Sequence, residues 1–455
     1  MKNSERFSAA KPLMEQGGKS SRKPGFMSED RISELPEVLL LQILSSLPTK
    51  LVISTSVLSK RWLSLWKMVQ RLEFESSRNI YDFAENVTRS LLSHKAPVLE
   101  SLHLKVGDQF DGVYVGVWAT IAFTRHVREF VLDLSSYHGP RVRFPTSLFC
   151  FDTLETLKLD YVYIYVPCPV SMKSLRTLHL LSVVYKGDES GHNLFASCPN
   201  LEHLVLRRGF FFDAVVNFII DAPSLKTLLL SDPFSARESS RGYVIKAPSL
   251  KYLGIESVEG FEYFLIENVT ELVEANIRNV SKIVNENILG SLKSAKRLSL
   301  DLSPLKITYP TEVMYHQLVY LEMHTHKVEW WNLLTHMLDS SPKLQVLKLI
   351  DRETRHENLE FDKKYKDQGK WNQPKYVPEC LETFMWRNCN WGREEEKEVA
   401  TYILRNARQL KKATFSTDPI EAKRLCKLAK RRKMREELDG VVMTSNSCHL
   451  VFEFE

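Results

Sequence analysis

From Leu99 onward the apolar residues fall into a recurring six-residue pattern, L-x-x-L-x-L. It reads LESLHL at 99, VREFVL at 127, LETLKL at 154, LRTLHL at 175, LEHLVL at 201 and LKTLLL at 225. It continues as LKYLGI at 250, LVEANI at 272, AKRLSL at 295, LVYLEM at 318 and LQVLKL at 344, so that successive starts lie 21 to 28 residues apart. The pattern predicts one short strand per copy, its first, fourth and sixth residues pointing inward and the residues between them outward. No copy can cover its own apolar face, and stacking on its neighbours supplies the core. Small turns carrying proline precede several copies, as in Cys198-Pro199-Asn200, Ala222-Pro223-Ser224, Ala247-Pro248-Ser249 and Ser341-Pro342-Lys343. Proline there stiffens the approach to a strand without removing a ladder donor. The period is that of a leucine-rich-repeat solenoid, with LVEANI and AKRLSL as degenerate copies.

Ahead of the repeats, Asp30 to Trp66 has helical periodicity. Pro36 suits a first helical position, and Leu40, Ile43, Leu44 and Leu47 follow as one apolar stripe. Leu39 and Leu41 add a second face, and Pro48 ends the helix. Ser59 reads as an N-cap, with Leu58 and Leu63 placed as a hydrophobic staple. Trp62, Leu65 and Trp66 then give a short helix a large aromatic face. A unit of this size cannot bury so much apolar surface within itself, so the excess is expected to meet a partner protein or the following domain. A strand at Leu72–Phe74 and a helix from Ile80 to about Ser93 come next.

Beyond Asp351 the rhythm gives way to a polar stretch, read as a loop or insertion, and the next copy, LETFMW, starts at 381. The acidic run Glu394-Glu395-Glu396 marks a helix start, because carboxylates in a first turn favour the helix dipole. LKKATF at 410 and CHLVFEF at 448–454 complete the strand-like segments. Between them, residues 423–435 hold eight Lys or Arg. The simplest reading is the exposed face of a helix with Leu425, Leu428 and Ala429 inward; a nuclear-import signal or nucleic-acid patch is the alternative.

Composition narrows the class. The 455 residues carry 62 basic and 56 acidic side chains for a net charge of +6, with 44% hydrophobic residues. No apolar run is long enough for a membrane span, and the Ser-, Gly- and Lys-rich segment 1–27 reads as a disordered leader lacking the apolar core of a secretory signal. Seven scattered cysteines without a C-x-x-C pair favour reduced thiols, hence cytoplasm or nucleus. His324-x-His326 with Glu322 invites a metal reading, but two histidines on one strand face lack a third ligand in sequence, and they are taken as exposed polar residues with no metal. Phosphate-binding loops and nucleophile motifs are missing, so the chain is expected to be non-catalytic and to need no cofactor.

Two stretches resemble known modules. Val57-Leu58-Ser59-Lys60-Arg61-Trp62 with Leu65-Trp66, after the two Leu-Pro pairs, resembles the plant form of the F-box, although Leu51-Val52 stands where many relatives carry an acidic residue. Val377-Pro378-Glu379-Cys380-Leu381 through Phe415 resembles the FBD domain of plant F-box proteins with leucine-rich repeats. Leu381 here abuts Glu382, which predicts a tightened or mis-registered strand start. The resemblance implies an α/β chain: leader 1–27, three-helix F-box 28–75, solenoid 76–350, polar linker or insertion 351–374, and α+β FBD-like domain 375–455.

It also implies the substrate-recognition subunit of a Skp–cullin–F-box ubiquitin ligase. Leu35, Pro36, Ile43, Leu44, Leu47, Pro48, Leu58, Trp62 and Trp66 would build the unit that docks a Skp-type adaptor and, through it, a cullin. A protein target would lie on the solenoid's concave face and the FBD-like end. Candidate contacts there are Lys105, Asp133, Lys158, Asp160, His203, Arg207, Tyr252, Glu256, Arg278, Tyr320 and His324. Their mixed signs disfavour nucleic acid. The alternative is a binding scaffold or inhibitor uncoupled from ubiquitin transfer.

Overall fold

The computed structural model describes residues 32–454 apart from residue 33 and a set of connecting segments, the longest being 210–216, 234–241, 303–312, 352–370 and 418–424. The leader 1–27 and most of the polar stretch after Asp351 lie outside the described residues.

The repeating leucines build one long parallel sheet. Among the described residues it has 15 strands, from Arg71–Glu75 to His449–Phe454, each paired with the copies before and after it in chain order. Over the first strands register is uniform, with Arg71 paired to Ser101, Ser101 to Glu129, and Glu129 to Thr156; it shifts at Ser231/Asp232 and Arg278/Val280. The consensus leucines point inward as expected, with Leu99, Leu102, Leu104, Leu154, Leu157 and Leu159 all buried. The degenerate copies keep the ladder too, as Glu274–Ser281 and Arg297–Leu302 pair with each other and with their neighbours. LETFMW also joins in unbroken register, Val346 to Thr383 through Ile350 to Arg387, so abutting Leu381 on Glu382 does not shift the strand.

Five of the strands share one backbone device after their fifth residue. Tyr161, Ser182, Ser257, Asn279 and Asn388 all adopt positive φ, between 50° and 60°. Each directly follows the fifth residue of its strand, namely Asp160, Leu181, Glu256, Arg278 and Arg387. A left-handed residue there turns the chain, or bulges the strand before it resumes at Val258 and Val280. Asparagine tolerates this conformation best, and the others hold it because the flanking ladder fixes them.

The return paths carry structure that the L-x-x-L-x-L pattern does not announce. Among the described residues, short parallel strands stack there into a sheet of four (Asn217–Asp221, Gly242–Lys246, Tyr263–Glu267, Asn285–Glu286) and one of three (Val142–Arg143, Val162–Ile164, Val184–Tyr185). Tyr185, Phe218, Tyr243 and Phe264 form an aromatic column through them, with successive ring centroids 5.2, 5.7 and 5.4 Å apart. Helices such as Val113–Thr124, Trp330–Ser340 and Glu394–Asn406 cover other repeats. In the last, Glu396 caps the helix, accepting from the backbone N–H groups of Gly392 (3.0 Å) and Arg393 (3.4 Å).

The basic stretch forms a helix, Leu425–Asp439; among its described side chains Met434 and Leu438 are buried and Leu428 and Ala429 face solvent, while the side chain of Leu425 lies outside the described set. Trp391 Nε1 donates to Glu437 at 2.8 Å and fixes the helix to the sheet end. Its cations are matched by carboxylates one turn on, as in Arg432–Glu436, Lys433–Glu437 and Arg435–Asp439.

One buried polar cluster joins the two sides of the solenoid. Arg208 Nη1 lies 3.1 Å from Asp232 Oδ2, and Tyr243 Oη donates to the same oxygen at 2.9 Å. Both ionic side chains are almost wholly enclosed. Removing one partner of such a pair strands the other charge. Asp232→Ala is therefore expected to cost about 3–5 kcal/mol in urea denaturation. Tyr243→Phe, which removes one hydrogen bond, should cost only about 1–2 kcal/mol.

Candidate docking surfaces

The N-terminal unit has three short helices: α1 (Glu37–Ser45), α2 (Thr49–Ser54) and α3 (Lys60–Leu65). Pro36 and Pro48 each sit at an N-cap, one position earlier than a first helical residue, and their carbonyls accept from Leu40 and Val52. Pro48 thus starts α2, while α1 has already ended at Ser45. Ser59 is extended (φ −167°) and accepts from the Trp62 N–H, the expected cap. Arg61 Nη2 donates to the Leu35 carbonyl at 2.5 Å, closing the unit on itself.

Burial sorts the expected adaptor residues into two groups. Leu44, Trp62 and Trp66 lie in a separate core with Leu40, Val52, Leu65 and Val69, and Leu35 packs against it. They hold the unit together and present little surface. Ile43, Leu47 and Leu58 are exposed, and Pro36 and Pro48 are exposed beside them. Leu58 and Leu63 do not close as a buried staple, since both stay largely in solvent. Sequence reasoning had not singled out Val38, Leu39, Leu51 and Val57 as docking residues, yet they belong to the same exposed apolar set. The signal was Leu39 and Leu51, apolar residues outside the main stripe. This surface does not turn into the solenoid: the unit is joined there through other groups, with Thr49 Oγ1 accepting from Glu73 N at 2.7 Å and His94 Nε2 2.6 Å from the Val69 carbonyl.

The second surface is the open face of the long sheet, built from the first, third and fifth residues of each strand. Lys105, His203, Arg207 and Glu256 are exposed there, and Asp133, Lys158, Asp160, Tyr252, Arg278 and Tyr320 are half-buried. Many of these charges pair across adjacent strands: Lys105 with Glu75 (2.7 Å), Lys158 with Glu129 (3.8 Å), and Arg297 with Glu274 (3.6 Å). Arg297 also stacks 4.1 Å above the Tyr320 ring. Asp160 stands opposite Asp133 on the next strand. Burial, then the Asp133 charge, pushes its carboxyl up to about 6 against the pull of Arg207 and Arg141. Mid-sheet, the third-row positions are Val205, Leu229 and Gly254, an apolar window between charged ends. A Cβ on Gly254 would meet Leu229 at 2.5 Å, so the glycine lets that side chain lie across the neighbouring strand. LEHLVL and LKTLLL carry this window in sequence as apolar residues between the repeat leucines.

His324 departs from its expected place. It is 3% exposed, and Glu322 is also buried, so neither is a surface residue of the open face. Glu322 is held by Lys348 (2.6 Å), Ser299 (3.0 Å) and Tyr320 (3.1 Å).

With both surfaces in place, comparison with known proteins gives a consistent picture. Family models match an F-box domain at residues 32–74, the LRR repeats of FBD-associated F-box protein At5g56370 at 115–216, and FBD at 373–415. F-box/FBD/LRR-repeat protein At3g52680 of Arabidopsis thaliana is 56% identical, with 98% of this chain and 97% of the relative covered. F-box/FBD/LRR-repeat protein At4g00160 of the same plant is 53% identical over 97% of this chain and 98% of its own length. A leucine-rich-repeat protein of Leptospira interrogans aligns over 91% of this chain and 97% of its own at 14% identity and a TM-score of 0.34. Among the described residues no helix is long and apolar enough to cross a membrane. Helical N-terminal unit, leucine ladder and closing strands together place the chain in the F-box/FBD/LRR-repeat family, as an F-box protein built for protein interaction.

Proposed function

We propose that the chain is a non-catalytic substrate receptor of a Skp–cullin–F-box ubiquitin ligase. The observation that carries this reading is the division within the N-terminal unit. Its aromatic residues fill a private core, while Leu39, Ile43, Leu47, Leu51, Val57 and Leu58 remain in solvent. A concentration of exposed apolar side chains in so small a unit is what a protein-docking surface supplies. The Skp-type adaptor is the partner that the F-box implies, and a cullin follows through it. The open face, with its apolar window between charged ends, offers the protein target tyrosine and arginine anchors of the kind that dominate interfaces. Holding the target near a charged ubiquitin-conjugating enzyme would then accelerate transfer by proximity.

The test is direct binding of purified chain to a Skp-type adaptor. Ile43→Asp/Leu47→Asp is expected to weaken binding at least tenfold with an unchanged melting temperature. Leu44→Ala instead removes a buried side chain and should cost about 2–5 kcal/mol of stability. Wild-type affinity in the aspartate double variant would remove the adaptor reading. A folded wild type that binds no adaptor would favour the uncoupled scaffold.

Target capture can be checked separately. Reversing Lys158, Arg207 and Arg278 to Glu together should abolish pull-down of the cellular target while adaptor binding persists. Capture that survives the reversal would move the target site off this face.

Asp160 supplies a pH signature. Its native value of about 6 exceeds the ordinary 3.8, so between the two the folded chain keeps a proton that the unfolded chain has released. This contribution favours folding at low pH and is lost as pH rises through about 6. Asp160→Asn should therefore stabilise the protein at neutral pH, with the gain shrinking as pH falls below that value, as followed by urea midpoints.

A further inference from the structure

Near the C-terminal half of the sheet, two adjacent strands converge one carboxylate and two imidazoles. Asp301 is the fifth residue of Arg297–Leu302, and His324 ends Tyr320–His324. The pairing of Leu300 with Met323 sets Asp301 beside His324, and His326 follows two residues on. One ligand atom from each of the three lies within 4.8 Å of the other two. His326 Nε2 is 3.4 Å from Asp301 Oδ1, and the side chains of this pair are 7% and 6% exposed. The two histidine rings stand nearly perpendicular, at 79°.

We propose that Asp301, His324 and His326 form a three-ligand site for a divalent zinc-type ion. Two imidazole nitrogens and a carboxylate oxygen are a donor set that zinc takes, with ligand bonds of about 2.0–2.2 Å. Tetrahedral angles at such bond lengths put neighbouring donor atoms about 3.4 Å apart, which is the observed Asp301–His326 separation. The ladder fixes both strands, so little of the backbone has to move to close the shell. Enclosure adds a second argument. A buried carboxylate needs a charged or hydrogen-bonding partner; Asp301 Oδ1 accepts no hydrogen bond from a described residue, and the His326 ring 3.4 Å away pairs with it only when protonated. An ion bridging it to the imidazoles supplies that partner without protonating either ring.

Glu322 is not part of the set, because Lys348, Ser299 and Tyr320 already hold it. Three protein ligands leave a fourth position for water or for a side chain of a bound target. The proposal is independent of adaptor docking, which takes place at the other end of the chain.

The experiment uses the full-length chain, stripped with a chelator and titrated with Co(II) and then Zn(II). Expected for the wild type are one equivalent of Co(II) per chain, visible absorption of a tetrahedral ion, and its loss as Zn(II) displaces it. Zinc should also raise the melting temperature, as any ligand of the native state does. His326→Ala and Asp301→Asn should each weaken binding by more than about 100-fold, beyond what loss of an outer-shell partner does. His203→Ala, an exposed imidazole elsewhere on the open face, should bind as the wild type does. His326 is the least enclosed of the three, so His326→Ala decides the matter should Asp301→Asn fail to fold, with circular dichroism reporting the fold. Absence of stoichiometric binding by the wild type would overturn the proposal, as would unchanged binding by folded His326→Ala.

Discussion

Everything in this molecule depends on the stacking of one inward leucine row upon the next. A single repeat has three apolar residues on one short strand and nothing of its own to cover them. Its neighbours supply the cover, and the parallel pairing of each strand with the next lets them do so. A fully buried leucine contributes about 1.5–3 kcal/mol, so a register slip that turned even one row outward would forfeit more than any surface ion pair could return. The same constraint explains why residues as ill-suited to positive φ as Tyr161 hold it. The ladder on either side decides where the chain must turn.

That dependence also governs the surfaces. On the open sheet face, pairs such as Lys105–Glu75, Lys158–Glu129 and Arg297–Glu274 match opposite charges across the strands. The exceptions are functional candidates: the Asp133–Asp160 juxtaposition, the Val205–Leu229–Gly254 window and the enclosed Asp301 cluster. In the N-terminal unit the division is sharper still. Trp62 and Trp66 complete a core too small to take in the rest of the apolar surface, and what is left over faces outward.

Much of this was legible in the sequence, because period and burial share one cause. Leucines at the first, fourth and sixth positions are inward wherever the ladder runs, and the helix at Ile80–Ser93 and the Ser59 cap were readable from local chemistry. The return-side strands were not, since Phe218, Tyr243 and Phe264 sit in segments of variable length with no fixed spacing. Nor was the sorting of Leu44 from Ile43, adjacent apolar residues whose fates are set by how three helices pack. The basic helix is legible in the sequence, but Leu428 and Ala429 are exposed while Met434 and Leu438, few among many charges, are buried. His324 misled for a similar reason. Alternation gives it an exposed place on the open face, whereas the residue is buried.

The strands of the FBD-like end, Thr383–Arg387, Lys412–Thr417 and His449–Phe454, do not form a sheet of their own but prolong the leucine ladder. The chain is therefore a ruler. With 15 strands spaced about 4.8 Å apart, its first and last strands are separated by roughly 67 Å along the sheet. Inserting or deleting one repeat would change that reach by a single graduation and leave both ends chemically intact. The repeat count thus sets the distance between the helical end and the closing strands, independently of the chemistry at either end.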